Sequence, residues 1–314
     1  MNTHSLQTPA LGLGCIFQLQ KFKADGTITY TGPKFHNVVL GVGYDLMLTH
    51  GPHGQSNGGA NYCNLGSGAQ FEDKADDELK DYVIGTDNVI SSETYYSSGV
   101  DYDYPAWRSW RQIFEFEIGS ISHDVSEIGL SRDLNEDYFN RHRIVDLRGN
   151  HIGLDILPDE GLKVWAETYL FGSADVADVI SGEFEFQGSS GTVTIGYTWE
   201  QLDGWLTASG IIPGGLYPDD VRILDSVTYD PSDGTPASSV SSSCASGSGN
   251  NYATAKWNAG VLSGEYTTLL VNMGGATYGR FDLDTPIVMD NEETSLKITI
   301  LRDLSTTLEE AIWR

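Results

Sequence analysis

Few short stretches restrict a chain as tightly as Gly161–Phe171, GLKVWAETYLF. Side chains of an extended strand alternate between two faces. Leu162, Val164, Ala166 and Leu170 therefore share one face, and Lys163, Trp165, Glu167, Tyr169 and Phe171 share the other. A strand with an aliphatic face and three aromatics opposite must be covered on both sides. One cover is a core; the other is a further sheet or another subunit. Trp165, Tyr169 and Phe171 are thus candidate interface residues.

The same period recurs elsewhere. Arg111–Gly119 puts Phe114, Phe116 and Ile118 on one side and Glu115 and Glu117 on the other. Residues 15–30 read as strand, Asp25-Gly26 turn and return strand. Helical signals are few: Gly41–His50, Glu72–Val83 and Thr198–Gly210 are each expected to give a short helix. The turn-rich loop 51–61 is expected at the surface, and so is the Ser/Gly/Pro/Ala-rich insert 230–251. Pro158–Gly161 reads as a hairpin turn whose acids are solvated.

Two halves show a similar order of elements. Each has a Trp-bearing strand, an Arg-then-acid segment, an acidic turn and a Leu-Lys-Val/Ile strand, with Leu154–Phe171 echoed by Ile287–Leu301. The expected architecture is mainly β: two β-sandwich-like modules, 1–175 and 176–314, with long loops and a few short helices.

Composition narrows the function. Of 314 residues, 44 are acidic and 18 basic, a formal net charge of −26. Such a surface repels phosphate backbones and anionic lipid, so neither nucleic-acid binding nor membrane insertion is expected. No run of about 18 apolar residues suggests a transmembrane helix, and no signal peptide is read at residues 1–17. Cys15, Cys63 and Cys244 form neither a disulfide framework nor a zinc half-site, which fits folding in a reducing cytoplasm.

Catalytic signals are sparse. The chain has no GxSxG elbow, GxxxxGK[ST] loop or HExxH pair. His50 and His53 flank a Gly-Pro turn without a third ligand in view, and His142 reads as a surface-strand residue between two arginines. Asp159 with Glu160, or Glu292 with Glu293, supplies neighbouring carboxylates, but adjacent acids on a turn point apart and do not span a glycosidic bond. The acidic turns Asp101–Pro105 and Asp230–Gly234 offer oxygens for Ca2+ without the distal glutamate of an EF-hand. The expectation is no cofactor and no enzyme activity. Loops rich in Tyr, Asn, Gly and Ser are candidate recognition surfaces: His53 and Asn57 in 51–61, and Tyr95, Tyr96, Tyr102 and Tyr104 in 91–105.

Four segments in order carry a resemblance. Phe35–Met47 (FHNVVLGVGYDLM), Asn61–Gly68 (NYCNLGSG), Trp107–Ser131 (WRSWRQIFEFEIGSISHDVSEIGLS) and Asn140–Phe171 resemble consecutive motifs of a group of tailed-bacteriophage virion structural proteins. The resemblance covers about residues 17–171, and Tyr278–Ile300 is loosely similar again. Arg143-Ile144 and the stretch HIGLD depart from the pattern without touching any catalytic motif. The resemblance implies a virion component, with the tail (tail fibre, tip or appendage) favoured over the head, assembled in the bacterial host cytoplasm. Its implied partners are copies of itself and other phage structural proteins. A host receptor- or glycan-binding module and a head-associated fibre or decoration protein are the alternatives.

Overall fold

The computed structural model describes residues 3–7, 11–50, 60–73, 75–96, 107–172, 180–188, 191–201, 218–226, 234–243, 251–273, 276–300 and 302–303. The first half runs β1 (Thr3–Gln7), β2 (Leu11–Lys23), β3 (Ile28–His36), β4 (Val38–Val39), α1 (Gly41–His50), β5 (Tyr62–Gly66), β6 (Tyr82–Thr86), β7 (Val89–Tyr96), β8 (Trp107–Phe116), β9 (Glu127–Asp133), β10 (Glu136–Tyr138), β11 (Asn140–Arg143) and β12 (Glu160–Gly172). The second half adds β13 (Ile180–Gly188), β14 (Gly191–Gln201), β15 (Pro218–Leu224), β16 (Thr235–Pro236), β17 (Ser239–Ser243), β18 (Asn251–Trp257), β19 (Ser263–Met273), β20 (Ala276–Asp290), β21 (Thr294–Ile300) and β22 (Arg302–Asp303). The fold is mainly β, as the alternation requires.

Four sheets result. The β12 sheet has the order β22-β2-β12-β8-β7, with β3 also on β2; the β9 sheet has the order β4-β11-β9-β5-β6, with β10 on β9. The β20 sheet runs β13-β14-β20-β19-β15-β16 and the β21 sheet runs β1-β21-β18-β17. Strand β12 is central to its sheet, pairing with β2 from Glu160 to Gly172 and with β8 from Leu162 to Phe171. Its aliphatic face joins Cys15, Phe17 and Leu19 of β2 and Phe114 and Phe116 of β8 in the core. Across from them lie β9-sheet residues such as Cys63, Leu65, Ile128 and Leu130. Each buried Leu, Val or Phe contributes about 1.5–3 kcal/mol. The apolar cluster continues without a break through Phe281 and Leu296 of the second half.

The end strands cross the boundary that the sequence places near residue 175. Strand β1 adds in parallel to β21 of the second half, and β22 adds in parallel to β2 of the first. Each half is therefore completed by the opposite end of the chain.

Several expectations need correction. Residues 72–83 form no helix: the described part is irregular up to Asp81, and Tyr82 and Val83 belong to β6. Glu72 and Asp76 are instead held by arginines of β11, with Lys80 also on Asp76. Thr198–Gln201 are the end of β14, and 202–210 lie outside the described residues. The insert 230–251 contains β16 and β17, the latter paired with β18, so it is partly sheet; 230–233 and 244–250 lie outside the described residues. The helix at Gly41–His50 is present, and a Cβ on Gly43 would lie 1.9 Å from the Phe139 carbonyl oxygen. Only glycine permits that approach.

Nor is Pro158–Gly161 a hairpin turn. Leu154 bridges to Val125 beside β9, whereas β12 pairs only with β2 and β8. The turn is a corner that carries the chain from one sheet to the other. Its echo at Asn291–Glu293 does the same between β20 and β21, which lie in different sheets.

Candidate functional site

The side of the β12 sheet facing away from the β9 sheet gathers the polar and aromatic side chains that the alternation sets apart. Register places Trp165 between Gln18 and Ile113, and Glu167 between Ile16 and Arg111. One strand further out, Glu93 lies beside Arg111 and Tyr95 beside Ser109. Glu167 is nearly buried and fully engaged. Its Oε2 accepts from Arg111 Nη2 at 2.7 Å and Nε at 3.0 Å, and its Oε1 accepts from Ser109 Oγ at 2.8 Å.

Arg111 extends this group to the sheet edge. Its guanidinium lies 4.7 Å from the Tyr95 ring centroid, and Nη1 donates to the Tyr95 hydroxyl at 3.2 Å. That hydroxyl donates in turn to Glu93. Partial burial opposes the Arg111 charge, but the bond to Glu167 outweighs it and raises the pKa further. Hydrogen bonding to Glu93 raises the Tyr95 phenol, and burial raises that of Tyr169. Arg111 therefore stays cationic and both phenols stay neutral at neutral pH. Lys163, on the same face, sits 4.9 Å from the Phe22 ring centroid and 3.5 Å from Glu115.

This face holds two of the three candidate interface residues. Trp165 is half-buried and Tyr169 is buried; the side chain of Phe171 lies outside the described residues. Tyr95 is exposed on β7, the outermost strand of the sheet. Tyr96 closes β7 beside Arg108, with its side chain outside the described residues; His53, Asn57, Tyr102 and Tyr104 lie outside them altogether.

A second charged cluster went unrecognised in the sequence. In β11, Arg141 and Arg143 point one way, while Asn140 and His142 point the other. Arg141 is fully buried, and its Nε donates to Glu127 Oε2 at 2.9 Å, itself fully buried. Its Nη1 donates to Asp76 Oδ2 at 2.6 Å and its Nη2 to the Gln70 carbonyl at 2.9 Å. Glu127 Oε1 accepts the backbone N–H groups of Gly68 and Asp81. Residues 67–73 and 75–81 are thus a strap fastened across the β9 sheet. Glu72 fastens it again through the Arg143 backbone N–H at 2.6 Å, with His142 Nδ1 3.1 Å away. Burial works to raise the Glu72 pKa, but these contacts outweigh it and hold it at about 2. His142 is therefore no free surface histidine: its ring stacks on Phe35, with centroids 5.4 Å apart. Arginine at alternate positions of a short strand was the available signal, since both then lie on one face and call for acids from whatever covers it.

The acids of the first corner behave differently from each other. Asp159 is exposed and pairs with Lys23 at 2.8 Å. Glu160 is buried, not solvated as the sequence suggests. It accepts from Thr29 Oγ1 at 2.5 Å, Lys21 Nζ at 2.9 Å and the Leu157 N–H at 3.1 Å. The Thr29 bond leads in lowering its pKa to about 2. Both oxygens are occupied by anchoring contacts.

Among the described residues, no three His, Cys, Asp or Glu side chains converge in a metal-holding geometry. Asp101–Pro105 and Asp230–Asp233 lie outside them. None of the known protein families, curated proteins or solved structures matches this chain.

Proposed function

We propose that this chain is a structural component of a tailed-bacteriophage particle, most naturally of the tail, acting by symmetric self-association and docking to other particle proteins. The observation that carries the reading is the outward face of the β12 sheet, where Trp165, Arg111 and Tyr95 lie side by side. Trp, Tyr and Arg are the residues that dominate association energetics, and β7, the last strand of its sheet among the described residues, offers backbone groups as well. The ordered resemblance of residues 17–171 to phage structural proteins supports the same reading. A second copy of the chain is the partner, since closed rings and symmetric pairs are the usual form of such assemblies.

Light scattering coupled to size-exclusion chromatography tests this on the full chain. A defined oligomer that Trp165→Ala converts to monomer, with an unchanged circular dichroism spectrum, is the expected result. A monomer at all concentrations, also lost from purified particles, refutes it.

A second reading has its own observation. Exposed Tyr95, flanked by Glu93 and Arg111, combines an aromatic surface with a donor and an acceptor, the combination a sugar ring can stack on and hydrogen-bond to. Host-cell binding by the isolated chain, abolished by Tyr95→Ala, would favour a receptor- or glycan-binding role for the same particle part.

A further inference from the structure

On the core side of the β12 sheet, one row of side chains runs across the strands: Asn37, Cys15, Thr168 and Trp110. Cys15 is the register partner of Thr168, and Thr168 of Trp110. Asn37 follows His36, the partner of Ile16, and its backbone N–H donates to the Cys15 carbonyl at 3.1 Å. From the facing sheet, Asn140 reaches the same Cys15 thiol. The surrounding core is apolar, with Phe17, Leu19, Phe114 and Val164 on the same side.

Four polar atoms of this group are buried and have no hydrogen-bond partner among the described residues: Asn37 Oδ1 and Nδ2, Asn140 Nδ2 and Thr168 Oγ1. Gln112 Oε1, one diagonal step from Thr168, is a fifth. Thr168 and Asn140 both act on the Cys15 sulfur, but sulfur is a weak acceptor and leaves their hydrogen-bonding capacity largely unmet. Buried polar atoms in native proteins are nearly always paired, with protein or with ordered water.

The chemistry of the set selects its occupant. Asn37 Oδ1 and Gln112 Oε1 only accept, the two amide nitrogens only donate, and the Thr168 hydroxyl does either. A bound cation would call for oxygens alone and a bound anion for donors alone. A molecule with two donors and two acceptors matches the mixture. We propose that Asn37, Asn140 and Thr168 bind internal water, giving this sandwich a hydrated polar centre within its apolar core. Waters of this kind make about three hydrogen bonds each to otherwise unpaired groups.

Crystallography of the full chain at about 1.5 Å resolution tests this directly. Density is expected within hydrogen-bond distance, about 2.7–3.2 Å, of Thr168 Oγ1 and an Asn37 amide atom. A dry site, or amides turned to pair with each other, overturns the proposal. Oxygen-17 relaxation dispersion on the wild-type protein counts long-lived internal waters independently of crystals. Thr168→Val adds a sign test. Where the hydroxyl holds water, the variant melts several degrees lower; a higher melting temperature means that the hydroxyl was simply orphaned, and refutes bound water.

Discussion

Replacing Arg141 with Met removes the guanidinium that meets Glu127 and leaves that carboxylate buried. Both side chains are fully inaccessible, 0% exposed for each. Removing one partner of a buried ion pair costs about 3–5 kcal/mol, because the remaining charge has no solvent to return to. That is a large part of a total stability of about 5–15 kcal/mol, and at about 2–4 °C per kcal/mol it lowers the melting temperature by about 6–20 °C. Glu127 also accepts the N–H groups of Gly68 and Asp81 through Oε1. Removing its carboxylate altogether would therefore confuse two effects. Glu127→Gln keeps an oxygen for those groups and removes the charge. The double variant Arg141→Met/Glu127→Gln is expected to recover much of the loss, a coupling that a double-mutant cycle in urea measures. If Arg141→Met lies within about 1 kcal/mol of wild type, well under the penalty expected for a buried unpaired charge, or the double variant is no better than the single, the strap is not held by this pair.

The carboxylates give a pH signature. Glu72 and Glu160 both sit at about 2 in the fold against an ordinary 4.5. Their stabilising contribution is therefore complete above about pH 4.5 and is lost as the pH falls toward 2. Melting curves from pH 7 to 2 should hold steady to about pH 5 and then drop; Glu160→Gln should flatten part of that drop. Burial pushes the Cys15 thiol up to about 12 and Cys63 well above its ordinary value. In a Cys244→Ser background, Ellman's reagent should find no fast-reacting thiol in native protein and two after unfolding. Deleting residues 1–7 should lower the melting temperature by uncovering the edge of β21, which β1 covers through parallel pairing and buried Leu6.

The mainly-β architecture was legible because alternation is a local property. Phe114, Phe116, Leu162 and Val164 declare their face from sequence spacing alone, and all four are buried on the predicted side. The aromatic face of β12 was legible for the same reason. Its contacts were not, since Arg111 and Glu167 meet only through a register joining strands 56 positions apart. The exchanged end strands left no readable pattern either. β1 has five residues and β22 two, too short for any period to stand out.

Charge misled where it was read locally. Glu72–Val83 has the acid, base and leucine spacing of a helix, yet Glu72 and Asp76 are bound by arginines roughly 70 positions away. Three kinds of contact draw this segment out of helix: the buried Arg141–Asp76 bridge, the Arg143 stack on Phe71 at 3.8 Å, and the backbone bonds to Glu127. An isolated helix this short is marginal in water, so those tertiary contacts decide the outcome. The acidic corners follow the same logic. A chain passing between sheets exposes backbone groups that no ladder satisfies, and a carboxylate that accepts the Leu157 N–H while binding Lys21 and Thr29 fills that need at one corner. At the other corner, Asn291 takes a left-handed φ of 62°, donates to the Leu262 carbonyl and accepts from the Gly260 N–H, and neighbouring Glu293 pairs with Lys256 at 2.9 Å. At both turns, then, the chain passes between sheets with its backbone groups satisfied, through the Glu160 carboxylate at the first and the main-chain bonds of Asn291 at the second.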